Sequence, residues 1–308
     1  MAAELERSHG EMRPLTLKID ESTAGRTVKS LLKNELAASD AHISRLKRRE
    51  NGILLNGVPC YVTARVQAGD VLEAEIGDEP DGHIVPMAFP LDVAFEDEYL
   101  LVLDKPAGIA VHQSTRDLEE CTLENAVCAY LGGNISPHPV SRLDRGTTGL
   151  MAFAKSGYIH ERLRRAQHTS AYARAYLAVA VGRVEPASGT IELPIGMAEG
   201  STYKRAVVPD GAAAATDYET LMRSDRLTLL SVVPRTGRTH QIRVHMAAIG
   251  FPLAGDWLYG ARDDALIARP ALHSAELAFV HPITGEEVRL RAELPEDMRN
   301  LTRDMEPA

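Results

Sequence analysis

The sequence predicts an α+β fold: a mixed, largely antiparallel sheet with flanking helices, preceded by a small α+β unit. Three observations predict it. After about residue 88, short strand and helix patterns alternate irregularly, unlike the regular strand–helix alternation of a doubly wound sheet. Adjacent strand candidates are joined by brief turns, as at Thr284–Gly285, which suits antiparallel pairing. A stretch rich in Gly, Pro and acids, GDEPDGH from Gly77 to His83, separates this region from a shorter pattern of helices and strands.

Taken in order, residues 1–14 show no periodicity and are expected to be a disordered lead. From Arg26 to Ala37, Val28, Leu31, Leu32 and Leu36 fall on one helical face. Ser39 or Asp40 caps a second short helix that turns Ile43 and Leu46 inward. Its outer face then shows Arg45, Lys47, Arg48 and Arg49. Ile53–Leu55 reads as a strand, Asn56–Gly57 as a hairpin turn, and Val58 onward as the return strand. Gly69–Asp70 turns the chain into Leu72, Ala74 and Ile76, whose alternation marks a half-buried strand. These elements make a small unit over 15–76, a linker over 77–87 and a larger domain over 88–308. In the larger domain, strands are expected at Leu100–Leu103, Gly149–Ala154, Tyr176–Val181 and Leu227–Val233. Helices are expected at Thr122–Leu131, Tyr158–His168 and Thr239–Ile249.

Composition narrows the function. The apolar fraction is 44% and the charged fraction 25%, as in globular proteins. No apolar run reaches the length of a membrane span, and the N-terminus is polar and acidic, so a cytoplasmic protein is expected. Three cysteines without a Cys-x-x-Cys pair suggest free thiols rather than a disulfide framework or zinc ribbon. A net charge of −9 argues against indiscriminate nucleic-acid binding. Yet Arg26–Glu50 holds seven Lys or Arg against three Asp or Glu, a confined basic footprint that a solvated helix face would explain equally well.

Four segments are polar where structure alone does not require it: Asp104–Gly108, the run HPVSRLDRGTTGL from His138 to Leu150, Arg174–Tyr176, and Gly237–His245. In the last, Ile242, Met246 and Ile249 form the apolar face of a helix with Thr239 as N-cap. His240 and Arg243, three apart, share a neighbouring face near its positive end. An aspartate set against that end would be held ionised and oriented, although ordinary surface groups explain this helix alone equally well. Phosphate-cradling loops, metal-ligand spacings and a Gly-x-Ser-x-Gly elbow do not occur. What remains is one aspartate, Asp144, with arginines and a tyrosine: carboxylate chemistry without a cofactor or metal.

The motifs RLDRGTTGL (Arg142–Leu150), GRTHQIRVHMAAIG (Gly237–Gly250) and GDWLYG (Gly255–Gly260) resemble the RluA family of pseudouridine synthases. KPAG (Lys105–Gly108), ARAY (Ala173–Tyr176), LHS (Leu272–Ser274) and HPITGE (His281–Glu286) extend the match over most of residues 88–300. The small unit resembles, more loosely, an S4 RNA-binding domain. The resemblance implies that uridine in RNA is isomerised without a cofactor. It implies that Asp144 is the essential carboxylate, attacking C1′ or promoting a glycal, and that Arg243 pairs with it. Tyr176 would stack on the base and help remove the C5 proton, and Leu272 would pack beside the uracil. Arg142 would fill the place of the flipped base. Lys105 is expected to contact a substrate phosphate or to serve as a structural contact, although an exposed charge at a strand end explains it equally well. His240 is an expected substrate contact, and Arg45, Lys47, Arg48 and Arg49 are expected RNA contacts. Ser141, Gly146, Thr148 and Arg174 depart from the family's usual His, Asp, Ser and Lys. Thr148 keeps the hydroxyl and Arg174 the charge, whereas Ser141 and Gly146 remove side chains beside the catalytic loop, which bears on target choice more than on activity. The expected partner is RNA, most plausibly ribosomal, with the chain acting as a monomer and neither a membrane nor a nucleotide involved. Transfer RNA is the alternative target, and a catalytically silent ribosome-assembly factor the alternative class.

Overall fold

The computed structural model describes residues 12–78, 84–113, 119–133, 135–167, 169–260 and 266–308. The small unit contains β1 (Leu15–Lys18), α1 (Val28–Asn34), α2 (Asp40–Leu46), β2 (Ile53–Leu55), β3 (Val58–Pro59) and β4 (Val71–Ala74). Its sheet runs β1-β4-β2-β3, antiparallel throughout. Both helices begin where a hydroxyl takes up an orphan amide: Thr27 accepts from the Ser30 N–H and Ser39 from the His42 N–H. Asn56 and Gly57 both have positive φ (54° and 76°), the conformation that matches a tight hairpin to strand twist. Leu72, Ala74 and Ile76 are buried as their alternation predicts. The strand β1 was not foreseen, because four residues of LTLK give too short a pattern to stand out; its pairing to β4 makes it a strand.

The larger part holds β5 (Val93–Glu96), β6 (Leu100–Lys105), α3 (Leu123–Tyr130), β7 (His138–Pro139), β8 (Thr148–Ala154), α4 (Gly157–Ala166) and β9 (Tyr172–Val181). It continues with β10 (Ser188–Glu192), β11 (Ile195–Met197), β12 (Arg205–Val207), β13 (Ala215–Arg223), β14 (Leu227–Pro234) and α5 (Gln241–Ala248). It ends with β15 (Leu272–Val280), β16 (Glu287–Arg291), α6 (Glu296–Thr302) and β17 (Glu306–Pro307). The main sheet runs β10-β13-β14-β9-β15-β8-β6-β5, with β16 on β15, β17 on β13 and β7 on β8. Among the described residues only β8 and β15 pair in parallel, so the sheet is mixed and largely antiparallel as expected. That parallel contact needs Gly149: its φ is +106°, and a Cβ there would lie 2.3 Å from the Ser274 carbonyl oxygen. Glycine thus lets β8, which follows the Asp144 loop, lie against β15, which begins with Leu272.

The expected strands and helices are present within a few residues. The third predicted helix starts differently. Thr239 was expected as its N-cap, but His240 holds that place, in the left-handed conformation and without a side-chain cap bond. The cause is Gln241, whose Oε1 accepts from the Arg238 N–H (3.0 Å) and the Thr236 hydroxyl (2.7 Å), tying down the preceding turn itself.

Residues 1–11 of the expected lead and 79–83 of the expected linker lie outside the described residues, as does His168. Either side of that linker, the two parts touch. The Tyr158 hydroxyl of α4 donates to the Leu36 carbonyl, and the Tyr158 ring lies 5.1 Å from His42. Asp78 accepts from His138 Nε2 and from the Gly157 N–H at the start of α4, both at 2.6 Å. Burial works against the Asp78 carboxylate, but the His138 and Gly157 bonds prevail and hold its pKa below the usual value. No helix of the described residues is long and apolar enough to cross a membrane.

Candidate active site

A cleft of about 710 Å³ opens between the loop before β8, the start of α5 and the first residue of β15. Arg142, Asp144, Tyr176, His240, Arg243 and Leu272 all line it, so the fold gathers six of the seven expected catalytic and substrate residues. Arg164, Arg174 and Arg238 line it as well, which makes the cleft cationic within an acidic chain.

Arg243 stands at the third position of α5 and is 5% exposed. Its Nη1 donates to Asp144 Oδ2 at 3.1 Å, across 99 residues of sequence. Its Nε and Nη2 donate to the two oxygens of Asp256 at 2.7 and 2.8 Å. Burial alone would disfavour the cation; Asp256 and then Asp144 outweigh it and raise the Arg243 pKa. Asp256 is fully buried and compensates Arg243 from behind, leaving one N–H edge to orient Asp144, whose side chain keeps 26% of its exposure. One guanidinium bridging two carboxylates needs a planar fork, which lysine lacks.

His240 has φ of 58°, an uncommon conformation outside glycine that directs the residue away from the helix it precedes. Its Nε2 lies 3.8 Å from Asp144 Oδ1, and its Nδ1 lies 2.7 Å from the Tyr259 hydroxyl. Burial holds the His240 pKa below its ordinary 6.5, while the Asp144 charge pulls the other way. At neutral pH it is therefore an uncharged neighbour of Asp144. Tyr176 and Leu272 are buried at the cleft wall, 6% and 4% exposed, and supply its apolar surface. Arg174, the departure in ARAY, interacts with the Tyr176 hydroxyl, whose negative form would favour the guanidinium and raise its pKa.

Lys105 does not join the cleft. Of the two roles expected for it, phosphate contact or structural contact, it has the second: it is fully buried, and its Nζ donates to the carbonyls of Pro106 (2.8 Å), Arg145 (3.1 Å) and Thr147 (2.9 Å). With its three protons so occupied, it clamps the loop carrying Asp144 and cannot meet a phosphate. Burial pushes its pKa down to about 8 despite the opposing Asp144 charge, so it remains a cation at pH 7. Arg142 and Arg145 are both exposed at the cleft, but Arg145 is committed to an ion pair with Glu120.

Arg269 was not anticipated. It pairs with both oxygens of Asp297 in α6 at 2.7 Å, and its Nη1 donates to the carbonyls of Gly146 (3.3 Å), Pro270 (3.1 Å) and Leu272 (3.2 Å). It joins the Asp144 loop to Leu272. The Gly146 departure fits this crowding, since a Cβ there would lie 3.1 Å from Pro270 Cδ. Thr148 keeps a hydroxyl partner, with Oγ1 2.9 Å from His273 Nδ1. Asp256 and Tyr259 were legible only as part of GDWLYG, a motif to which no chemistry had been attached.

The four residues of the small unit expected to contact RNA divide into two pairs. Lys47 and Arg48 are exposed. Arg49, expected on the outer face, is not: its side chain is 14% exposed, bonding Glu75 (3.1 Å) and the Gly77 carbonyl (2.6 Å). It follows the end of α2, where the chain turns back toward β4. Arg45 is exposed but lies 3.4 Å from Asp78, on the side facing the larger part.

A carboxylate held by an arginine fork in a cationic cleft, on an α+β scaffold, suits an enzyme that acts on an anionic substrate. Solved structures share the scaffold. "Human RNA Pseudouridylate Synthase Domain Containing 1" is 26% identical, with a TM-score of 0.57 over 71% of this chain and 89% of that one. Residues 99–248 match the family model described as RNA pseudouridylate synthase. The chain is 36% identical over 271 residues to an "Uncharacterized RNA pseudouridine synthase YjbO" of Bacillus subtilis, covering 87% of this chain and 95% of that one. It is 35% identical over 302 residues to a "Ribosomal large subunit pseudouridine synthase D" of Xanthomonas campestris, covering 92% and 90%. A protein of the same name from Pseudomonas aeruginosa is 38% identical, covering 75% and 77%. The chain belongs to the RNA pseudouridine synthase family and is an isomerase acting on RNA.

Proposed function

We propose that Asp144 is the catalytic carboxylate of a cofactor-free isomerisation of uridine to pseudouridine, and that the target lies in ribosomal RNA. The observation that carries the mechanism is the Arg243 fork, which orients Asp144 beside Tyr176 and Leu272. In the reaction the N1–C1′ bond breaks, the uracil turns, and C5 bonds to C1′. The C5 proton leaves and N1 gains a proton, so composition is unchanged and no oxidant is required. Attack at C1′ and elimination to a glycal both require an ionised, oriented carboxylate oxygen, which Arg243 provides. Tyr176 stacks on the displaced base and assists loss of the C5 proton. Leu272 packs against the ring, and Arg142 occupies the place left in the stack. Lys105 and Arg269 both hold the loop through its carbonyls. The ribosomal target is supported by the relatives named for the large ribosomal subunit, which match along three quarters of the chain or more.

Mapping pseudouridines by carbodiimide stops in total RNA from a deletion strain tests this. At least one ribosomal position should lose its stop. Loss in transfer RNA alone would overturn the target, and no loss anywhere would favour a silent assembly factor.

The small unit is assigned to RNA binding through the exposed pair Lys47 and Arg48. Phosphate contacts are salt-dependent, each contributing roughly 0.7 (single strand) to 0.9 (duplex) to the slope of log affinity against log salt. Changing both residues to Ala should lower that slope by about 1.4 to 1.8 in filter binding. Superimposable curves would remove this unit from the RNA interface.

A further inference from the structure

Next to Asp256, the second carboxylate on the Arg243 fork, the sole tryptophan of the chain stands exposed. Trp257 is 56% exposed, although its neighbour Asp256 is fully buried. Asp256 Oδ1 accepts from Arg243 Nη2 (2.8 Å) and from the backbone N–H groups of Leu258 (3.2 Å) and Tyr259 (3.3 Å). The carboxylate that compensates Arg243 thus also fixes the turn from which the indole projects. The β11–β12 hairpin leans on the same turn. The Arg205 N–H donates to the Tyr259 hydroxyl at 2.9 Å, and Lys204 Nζ lies 5.8 Å from the centre of the Tyr259 ring. Ile195 packs with Val244 of α5 and Tyr259, which anchors the hairpin to the helix bearing Arg243. At its tip Tyr203 is 55% exposed. Among the described residues neither the Trp257 nor the Tyr203 ring meets another ring, and Lys204 and Arg205 form no ion pair. Arg205 Nε is buried with no acceptor, and its charge is felt by His240.

Two open aromatic faces beside two cations that form no ion pair among the described residues are the chemistry that holds unpaired nucleotides: bases stack on the rings and phosphates meet the cations. We infer that Trp257, Tyr203, Lys204 and Arg205 form a stacking shelf for unpaired nucleotides flanking the target uridine. The inference rests on RNA as the substrate and adds that the target must be single-stranded on one side. A paired duplex hides its base faces and gains little from such a shelf.

A single tryptophan makes the test direct. Short oligouridine should quench Trp257 emission saturably, in the unmutated chain and in Asp144→Asn alike. The duplex of oligouridine with oligoadenosine should quench far less at equal occupancy by filter binding. Trp257→Ala should weaken oligouridine binding by roughly 5- to 150-fold, the range for one base–aromatic stack, and Trp257→Phe should retain most of the affinity. Unchanged emission at saturating oligouridine would overturn the inference, as would equal quenching by duplex or full affinity in Trp257→Ala. Quenching that follows protein concentration without RNA would assign the surface to a second copy of the chain and equally overturn it. Failure of the catalytic assignment would be distinct: Asp144→Asn would turn over normally whatever the fluorescence shows.

Discussion

Replacing Asp144 by Asn should leave a folded protein that binds RNA and turns over at least about 10²- to 10⁴-fold more slowly, the span one acid–base group contributes. If the carboxylate attacks C1′ directly, turnover falls to background, since an amide is not a nucleophile there. The fold should survive because the Asp144 side chain is partly exposed and an amide oxygen can still accept from Arg243 Nη1. Tritium release from RNA carrying 5-tritiated uridine measures turnover, and thermal unfolding checks the fold. Turnover near that of the unmutated enzyme would refute the role of Asp144.

The second large effect concerns Arg243, where catalysis and stability are linked through Asp256. Arg243→Leu should abolish turnover and also destabilise the protein by about 3–5 kcal/mol, because it leaves the fully buried Asp256 without its partner. Two further variants separate these effects. Arg243→Leu with Asp256→Leu removes both buried charges, so it should regain stability without regaining turnover. Arg243→Lys keeps the charge but cannot reach two carboxylates at once, so it should fold while its single-turnover rate falls at least about tenfold. Full activity in the lysine variant would exclude the two-carboxylate fork as the means of orienting Asp144.

The two arginines of Arg-Leu-Asp-Arg show how far the sequence could be read. Both stood out as charges before an apolar strand, and the family motif gave that stretch its chemistry. Only the structure separates them: both are exposed at the cleft, but Arg145 is paired with Glu120 while Arg142 forms no ion pair among the described residues. Lys105 is the same case in sharper form. As a lysine at the end of a strand it could equally be a phosphate contact or a structural one, and the carbonyls of its neighbour Pro106 and of Arg145 and Thr147 in the distant Asp144 loop surround its ammonium. Arg49 looked like one more charge on a basic face until Glu75 and Gly77 closed on it.

Determined by the sequence alone were the features whose physics is local. Helical and strand periodicity placed α1, α2, β4, β6 and β8, the Asn56–Gly57 turn set a hairpin, and the order of the motifs set the family and its reaction. The tertiary structure decided which charges meet. Asp144 and Arg243 lie 99 residues apart, and Arg243 reaches Asp256 behind it. Their pairing depends on a glycine that lets β8 approach β15 and on a loop clamped by Lys105 and Arg269. Burial is a property of the packed whole. It turns a charge from a solvated ornament into a group that must find a partner, and no window of sequence contains the partner it finds.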